Sequence, residues 1–217
     1  MNYADLTEYL DHTGTFRCAW GDEVIDTAFD TMPSEFIGFA EIDLQSEFEH
    51  KYINALSNAK RALDCQADRL LKLFGFYKES QDKFWGFPKK IGLIQEFDLI
   101  APRVLNKINK TRNLMEHQYI KPKPDQVEDF IDISALFIAS TDHYVTHFRK
   151  NVEYINESDE KYENYGEIRF DYDSDLFLLK VSIREYGRDN DHELILEKGN
   201  DNYIDLFKRH LKKIEVH

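Results

Sequence analysis

The sequence predicts a mainly α-helical fold, an antiparallel helical bundle followed by a small C-terminal β-meander and one more helix. Two observations predict it. Apolar residues recur at helical spacing over 46–74, 102–119 and 125–149. After residue 165 the texture changes to short alternating runs separated by turn formers. Three segments follow: an acidic N-terminal stretch, 1–45, expected to pack on the core; a helical domain, 46–149; and a β-containing extension, 150–217.

The first 45 residues carry Gly14, Gly21, Pro33 and Gly38 as breakers. Phe36–Leu44 reads as a strand or as the lead-in to a helix. Trp20, Phe29, Phe36 and Phe39 read as core or cover residues. The helix over 46–74 is expected to begin at Ser46, with Glu49 three residues on completing a capping box. Its stripe is Phe48, Tyr52, Ile53, Leu56, Ala59, Leu63, Ala67, Leu70 and Phe74, and Gly75 is expected to end it. Residues 76–91 form a connector in which Phe76, Tyr77, Phe84, Trp85 and Phe87 interleave with Lys78, Lys83, Lys89 and Lys90. Such a stretch can stack bases while its lysines hold phosphates, or it can be a loop pinned to the core by its rings. A short helix is expected over 89–99, and Pro102 restarts the helical pattern. In the helix over 125–149 the buried stripe is Val127, Ile131, Ser134, Phe137, Ile138, Thr141, Tyr144, Val145 and Phe148. His143 and His147, four apart, have no acidic or sulfur partner at matching spacing and read as surface residues. Residues 150–165 read as a polar linker. Strands are expected over 167–172, 176–185 and 193–197, then a helix capped at Asn200 or Asp201 and running to about Ile214.

Composition narrows the function classes. Hydrophobic residues make up 42% and aromatics 14% of 217 residues, enough for a real core. No apolar run approaches the roughly 18–20 residues of a membrane span, and no basic-then-apolar leader stands at the start. With only Cys18 and Cys65 and no zinc-type spacing, a reducing cytoplasm is expected, with no metal and no cofactor. The net charge of −13 argues against a nucleic-acid partner, but its distribution does not. Residues 1–50 sum to −11, residues 51–124 to +8 and residues 125–217 to −10. The middle third is basic, and it contains the octapeptide Arg112-Asn113-Leu114-Met115-Glu116-His117-Gln118-Tyr119.

On a helical projection Val104, Leu105, Ile108, Met115 and Tyr119 share one side, with Arg112 in its midst. A guanidinium there is costly unless paired or facing a cleft. Lys107, Lys110, Asn113 and His117 share the other side. Arg112 and His117 lie ~140° apart around the axis, so they converge only at a shoulder, through the reach of the arginine, or in a cleft wrapping the helix end. The structural alternative is a local Arg112–Glu116 pair with His117 beside a helix C-terminus.

The run RNLMEH, followed by QY, resembles the HEPN domain family (higher eukaryotes and prokaryotes nucleotide-binding), whose hallmark is Arg, four to six residues, then His. It also resembles the RxxxxHxY form of HEPN toxins paired with minimal nucleotidyltransferase antitoxins. The resemblance covers residues 46–149. It implies a helical bundle that forms a homodimer and a metal-independent ribonuclease, often a toxin or antiviral effector. By it Arg112 would hold the scissile phosphate, His117 would transfer protons and Asn113 would orient. Tyr119 would be a site of AMP attachment. Lys107, Lys110, Lys121 and Lys123 are the expected RNA-binding cations. The alternative within the family is a non-catalytic nucleotide- or protein-binding module.

Overall fold

Alternation over 151–197 builds more sheet than the expected three strands. The computed structural model describes residues 2–19, 23–99, 122–156, 160–162, 165–185 and 192–214. Among them are seven α-helices: α1 (Tyr3–Asp11), α2 (Pro33–Gln45), α3 (Lys51–Leu73), α4 (Tyr77–Asp82), α5 (Phe87–Glu96), α6 (Pro124–His147) and α7 (Asp201–Lys212). Five strands join them: β1 (Thr15–Ala19), β2 (Asn151–Asn156), β3 (Tyr165–Asp173), β4 (Leu178–Glu185) and β5 (His192–Glu197). They form one antiparallel sheet in the order β1-β2-β3-β4-β5. The architecture is therefore mixed α and β, which corrects the expectation of a mainly helical bundle with a small meander. The chain packs as two units, Met1–Ile25 with Thr146–His217, and Asp26–Val145.

The first unit is a sheet with helices on one face. In β2, β3 and β4 the residues Val152, Tyr154, Ile168, Phe170, Tyr172, Leu179, Val181 and Ile183 are all buried. They alternate with Glu153, Arg169, Asp171, Lys180 and Ser182, as the two-residue period of a strand requires. α7 turns Tyr203, Leu206, Phe207, His210 and Leu211 onto the apolar face, at three- and four-residue spacing. α1 adds Leu6, Tyr9 and Leu10, and the Tyr9 hydroxyl donates to the Tyr154 carbonyl at 3.3 Å. α1 is tied to α7 by the Tyr3 hydroxyl donating to Asp205 at 2.8 Å and by an Arg209–Asp11 ion pair. On the polar face Arg169 bridges Glu153 at 3.1 Å and Glu167 at 2.8 Å.

Among the described residues of the second unit the regular elements are all helices. Ser46, expected to start a helix, instead ends one. It caps α2, its hydroxyl donating to the Asp43 carbonyl at 2.8 Å, and α3 begins at Lys51. α2 rests on α3, whose Ala55, Ala59, Ala62 and Ala67 are fully buried and let neighbouring helices come close. Gly75, at φ +80°, ends α3 as its sequence position predicts. Phe74 stacks on Phe97 at 3.8 Å beyond the end of α5. α6 buries Val127, Phe130, Ile131, Ser134, Phe137, Ile138, Thr141, Tyr144 and Val145 in one stripe.

Candidate functional site

The octapeptide belongs to the chain between α5, which ends at Glu96, and α6, which starts at Pro124. Lys107, Lys110, Arg112, Asn113, His117, Tyr119 and Lys121 lie outside the described residues. Lys123 is the one expected site residue that is described. It is exposed, and its carbonyl accepts the Gln126 and Val127 amides at 3.1 and 3.2 Å, opening the first turn of α6. Pro124 occupies a position where its missing N–H costs nothing.

Polar contacts fix helices of the second unit to one another. The Gln66 amide donates to the Thr141 hydroxyl at 2.9 Å, and Thr141 in turn donates to the Phe137 carbonyl at 2.7 Å. Arg69 donates to Gln66 at 3.0 Å and pairs with Asp142 at 2.5 Å. Gln66 and Thr141 are fully buried, and Arg69 is 5% exposed. One seam of hydrogen bonds therefore sets the rotation of α6 against α3, because a slip of either helix would strand buried polar groups. A second pair, Asp68–Lys90 at 2.6 Å, ties α5 to α3. Burial raises the Asp68 carboxyl above its ordinary range, and the Lys90 hydrogen bond opposes that rise. Burial also pushes the Cys65 thiol up to about 11, so it is protonated and inert at neutral pH. The connector over 76–91 divides in the structure. Phe87 is buried, Phe76, Tyr77 and Trp85 are half-buried, and Phe84 is fully in solvent.

The first unit holds a different cluster of reactive types. His210 lies on α7 with its ring stacked on Phe170 at 4.4 Å and edge-on to Phe148 at 4.9 Å. Its Nδ1 meets the Tyr154 hydroxyl, and its Nε2 has no hydrogen-bond partner. Burial drops its pKa to about 3, with the Arg17 cation adding to the effect. A neutral imidazole sealed at 1% exposure cannot exchange protons with a substrate. It is a core residue. On the polar face of the sheet a groove of about 410 Å³ is lined by the cross-strand row Asn151, Asp171, Lys180 and Ile195. Asn151 donates to Asp171 at 2.7 Å and Lys180 pairs with Glu193 at 2.6 Å, so the polar groups of that row already have partners.

The His143 ring lies against the Tyr144 ring at 3.8 Å, and the His147 Nδ1 is 2.9 Å from the Thr146 hydroxyl. Among the described residues no group of three or more His, Cys, Asp or Glu side chains is arranged to hold a metal ion. No helix among them is long and apolar enough to cross a membrane. Both cysteines are free thiols. Sequence reasoning missed the Gln66–Arg69–Thr141–Asp142 seam. Its signal was there: Gln66 and Arg69 sit three apart beside Leu63, Ala67 and Leu70, where an amphipathic helix has no use for polar groups unless they meet partners. Comparison with protein-family models, curated proteins and solved structures finds no match to this chain.

Proposed function

We propose that the chain is a metal-independent endoribonuclease of HEPN type, working in the cytoplasm as a homodimer and serving as a toxin or antiviral effector. The observation that carries this is the run Arg112-Asn113-Leu114-Met115-Glu116-His117, followed by Gln118-Tyr119, in the one basic third of an acidic chain. The helical character of the described residues on both sides, with a polar seam fixing α3 against α6, supports the same reading.

The chemistry requires little of the protein because RNA brings its own nucleophile. The 2′-oxygen bonds to phosphorus and the P–O5′ bond breaks. One imidazole takes the 2′-hydroxyl proton and an imidazolium returns a proton to the departing 5′-oxygen. A single histidine cannot do both at once, so two copies of His117 across a two-fold axis divide the task. An ordinary imidazole titrates close enough to neutrality for either role. Arg112, whose fork matches phosphate oxygens, neutralises charge as the phosphorane forms, and Asn113 orients the group. Lys107, Lys110, Lys121 and Lys123 hold the flanking backbone. Tyr119 is the residue that an antitoxin of nucleotidyltransferase type would mark with AMP.

The test is cleavage of RNA by the full chain in EDTA, against His117→Ala and Arg112→Ala. Loss of about 10²–10⁴-fold in His117→Ala is expected. Equal cleavage by that variant removes the site assignment. Binding of RNA with no cleavage by the parent would replace the enzyme with a non-catalytic nucleotide-binding module.

A further inference from the structure

Two helices of the second unit end in the same way. At the end of α3 the Phe76 amide donates to the Leu71 carbonyl at 2.8 Å and the Gly75 amide to the Lys72 carbonyl at 3.2 Å. At the end of α4 the Trp85 amide donates to the Ser80 carbonyl at 2.8 Å and the Phe84 amide to the Gln81 carbonyl at 3.1 Å. Both are Schellman ends, which put the residue after the cap in the left-handed region. After α3 that residue is Gly75, at φ +80°; after α4 it is Phe84, at φ +51°. Glycine adopts this conformation freely, whereas the Cβ of phenylalanine crowds the next carbonyl.

Phe84 receives no burial in return, since it is 92% exposed. Phe177 has a similar backbone, φ +54°, but is half-buried with the Lys198 ammonium 5.0 Å from its ring centroid. At Phe84 the chain accepts a strained residue and holds its ring in water. A local rule broken without local gain marks a contact made with something else.

The surroundings say what. The stretch from residue 76 to 91 contains Lys78, Lys83, Lys89 and Lys90 but only Glu79 and Asp82 as acids, in a chain of net charge −13. Lys90 is turned inward onto Asp68. Lys78, Lys83 and Lys89 are exposed; Lys83 meets Glu79 in a surface pair at 2.7 Å that a phosphate can replace, and the Lys89 ammonium rides 4.1 Å from the Trp85 ring centroid. The centre of a protein interface is a contiguous apolar patch depleted of charge, whereas Phe84 is flanked by charged Lys83, half-buried Trp85 and Gly86. A bare ring among cations suits a flexible polyanion with flat faces.

We infer that the turn between α4 and α5 is a stacking platform for single-stranded RNA, with Phe84 under a base and Lys83 and Lys89 on the adjoining phosphates. The choice of RNA rests on the endoribonuclease reading above.

The test uses the full chain carrying His117→Ala, so that bound RNA survives, and a fluorescent single strand of about 12 nucleotides. Anisotropy should show Phe84→Ala weakening binding about ten-fold, with Phe84→Trp retaining it. Phe84→Gly should weaken binding equally while raising the melting temperature, which separates contact from folding. Lys83→Gln and Lys89→Gln should each flatten the salt dependence, by about 0.7 in slope. Unchanged affinity in Phe84→Ala, with His117-dependent cleavage by the otherwise native chain intact, overturns the platform and leaves the nuclease standing. Affinity that falls in Phe84→Ala, in a chain that cleaves no RNA, keeps the platform and removes the nuclease. Unchanged RNA binding with lost self-association in Phe84→Ala gives the ring to a protein interface and also overturns the proposal.

Discussion

The two units bury polar chemistry in opposite ways. Within the sheet unit His210 is neutral, walled by Phe148, Phe170 and Phe207, and held by one contact to Tyr154. Within the helical unit Arg69 and Lys90 each meet a carboxylate, at 2.5 and 2.6 Å. The difference follows from what each layer offers. A sheet face covered by helices surrounds His210 with rings, so the imidazole there gives up its charge. Adjacent helices present side chains at three- and four-residue spacing, so a cation on one can find an anion on the next.

The largest expected effect comes from emptying the aromatic core. Phe207 is fully buried, stacked on Phe148 at 5.3 Å and edge-on to Tyr172 at 5.4 Å. Phe207→Ala should cost about 3–5 kcal/mol. Amide exchange in β2–β4 should accelerate while the middle of α3 keeps its protection; loss of both together would show that the units do not differ as claimed.

Acid comes next. His210 has a folded pKa near 3, far below that of the unfolded chain. Below about pH 6.5 the unfolded chain binds a proton that the folded chain refuses, so the stability this residue contributes is lost as pH falls. The slope is about 1.4 kcal/mol per pH unit, acting between about pH 6.5 and 3. Denaturant unfolding of the sheet unit should show it. His210→Gln should flatten it, and an equal slope in that variant would assign the acid sensitivity elsewhere.

A smaller effect is expected at the helical seam. Arg69→Met removes the cation but leaves Asp142 with a side chain 42% exposed, so water relieves part of the loss. About 1–3 kcal/mol should go, chiefly from the stranded Gln66 carbonyl. Gln66→Leu combined with Arg69→Met should recover part of it, and the pair should be less than additive in a double-mutant cycle. Smallest of all is the Glu79–Lys83 pair on α4, at 2.7 Å but on the surface. Lys83→Gln should change stability by no more than a few tenths of a kcal/mol. A larger loss would mean that surface ion pairs also hold the helical unit.

Local signals in the sequence were legible and distant ones were not. Gly75 marked the end of α3, Asn200 the start of α7, and the alternation after 165 gave β3, β4 and β5 close to their observed bounds. β1 was missed because its inward residues include Thr15 and Arg17, which do not alternate as apolar against polar. Its partner β2 lies more than a hundred residues away, beyond any window of periodicity. β2 does alternate, with Val152 and Tyr154 buried, but acidic neighbours made it read as linker. α1 carried a capping box in Asn2 and Asp5 that went unread. Of the site, residue types and spacing were readable at Arg112 and His117. The strain at Phe84 was not, because φ is a property of how α4 ends and the residue there gives no hint of it.

In the proposed reaction the nucleophile comes from the RNA itself. The most direct measurement is the chemistry of the ends left on RNA digested by the full chain in EDTA. Attack by the 2′-hydroxyl predicts 2′,3′-cyclic phosphate and 5′-hydroxyl ends, formed by the parent and not by His117→Ala. Ends bearing 5′-phosphate and 3′-hydroxyl, or the same ends in equal yield from His117→Ala, would contradict it.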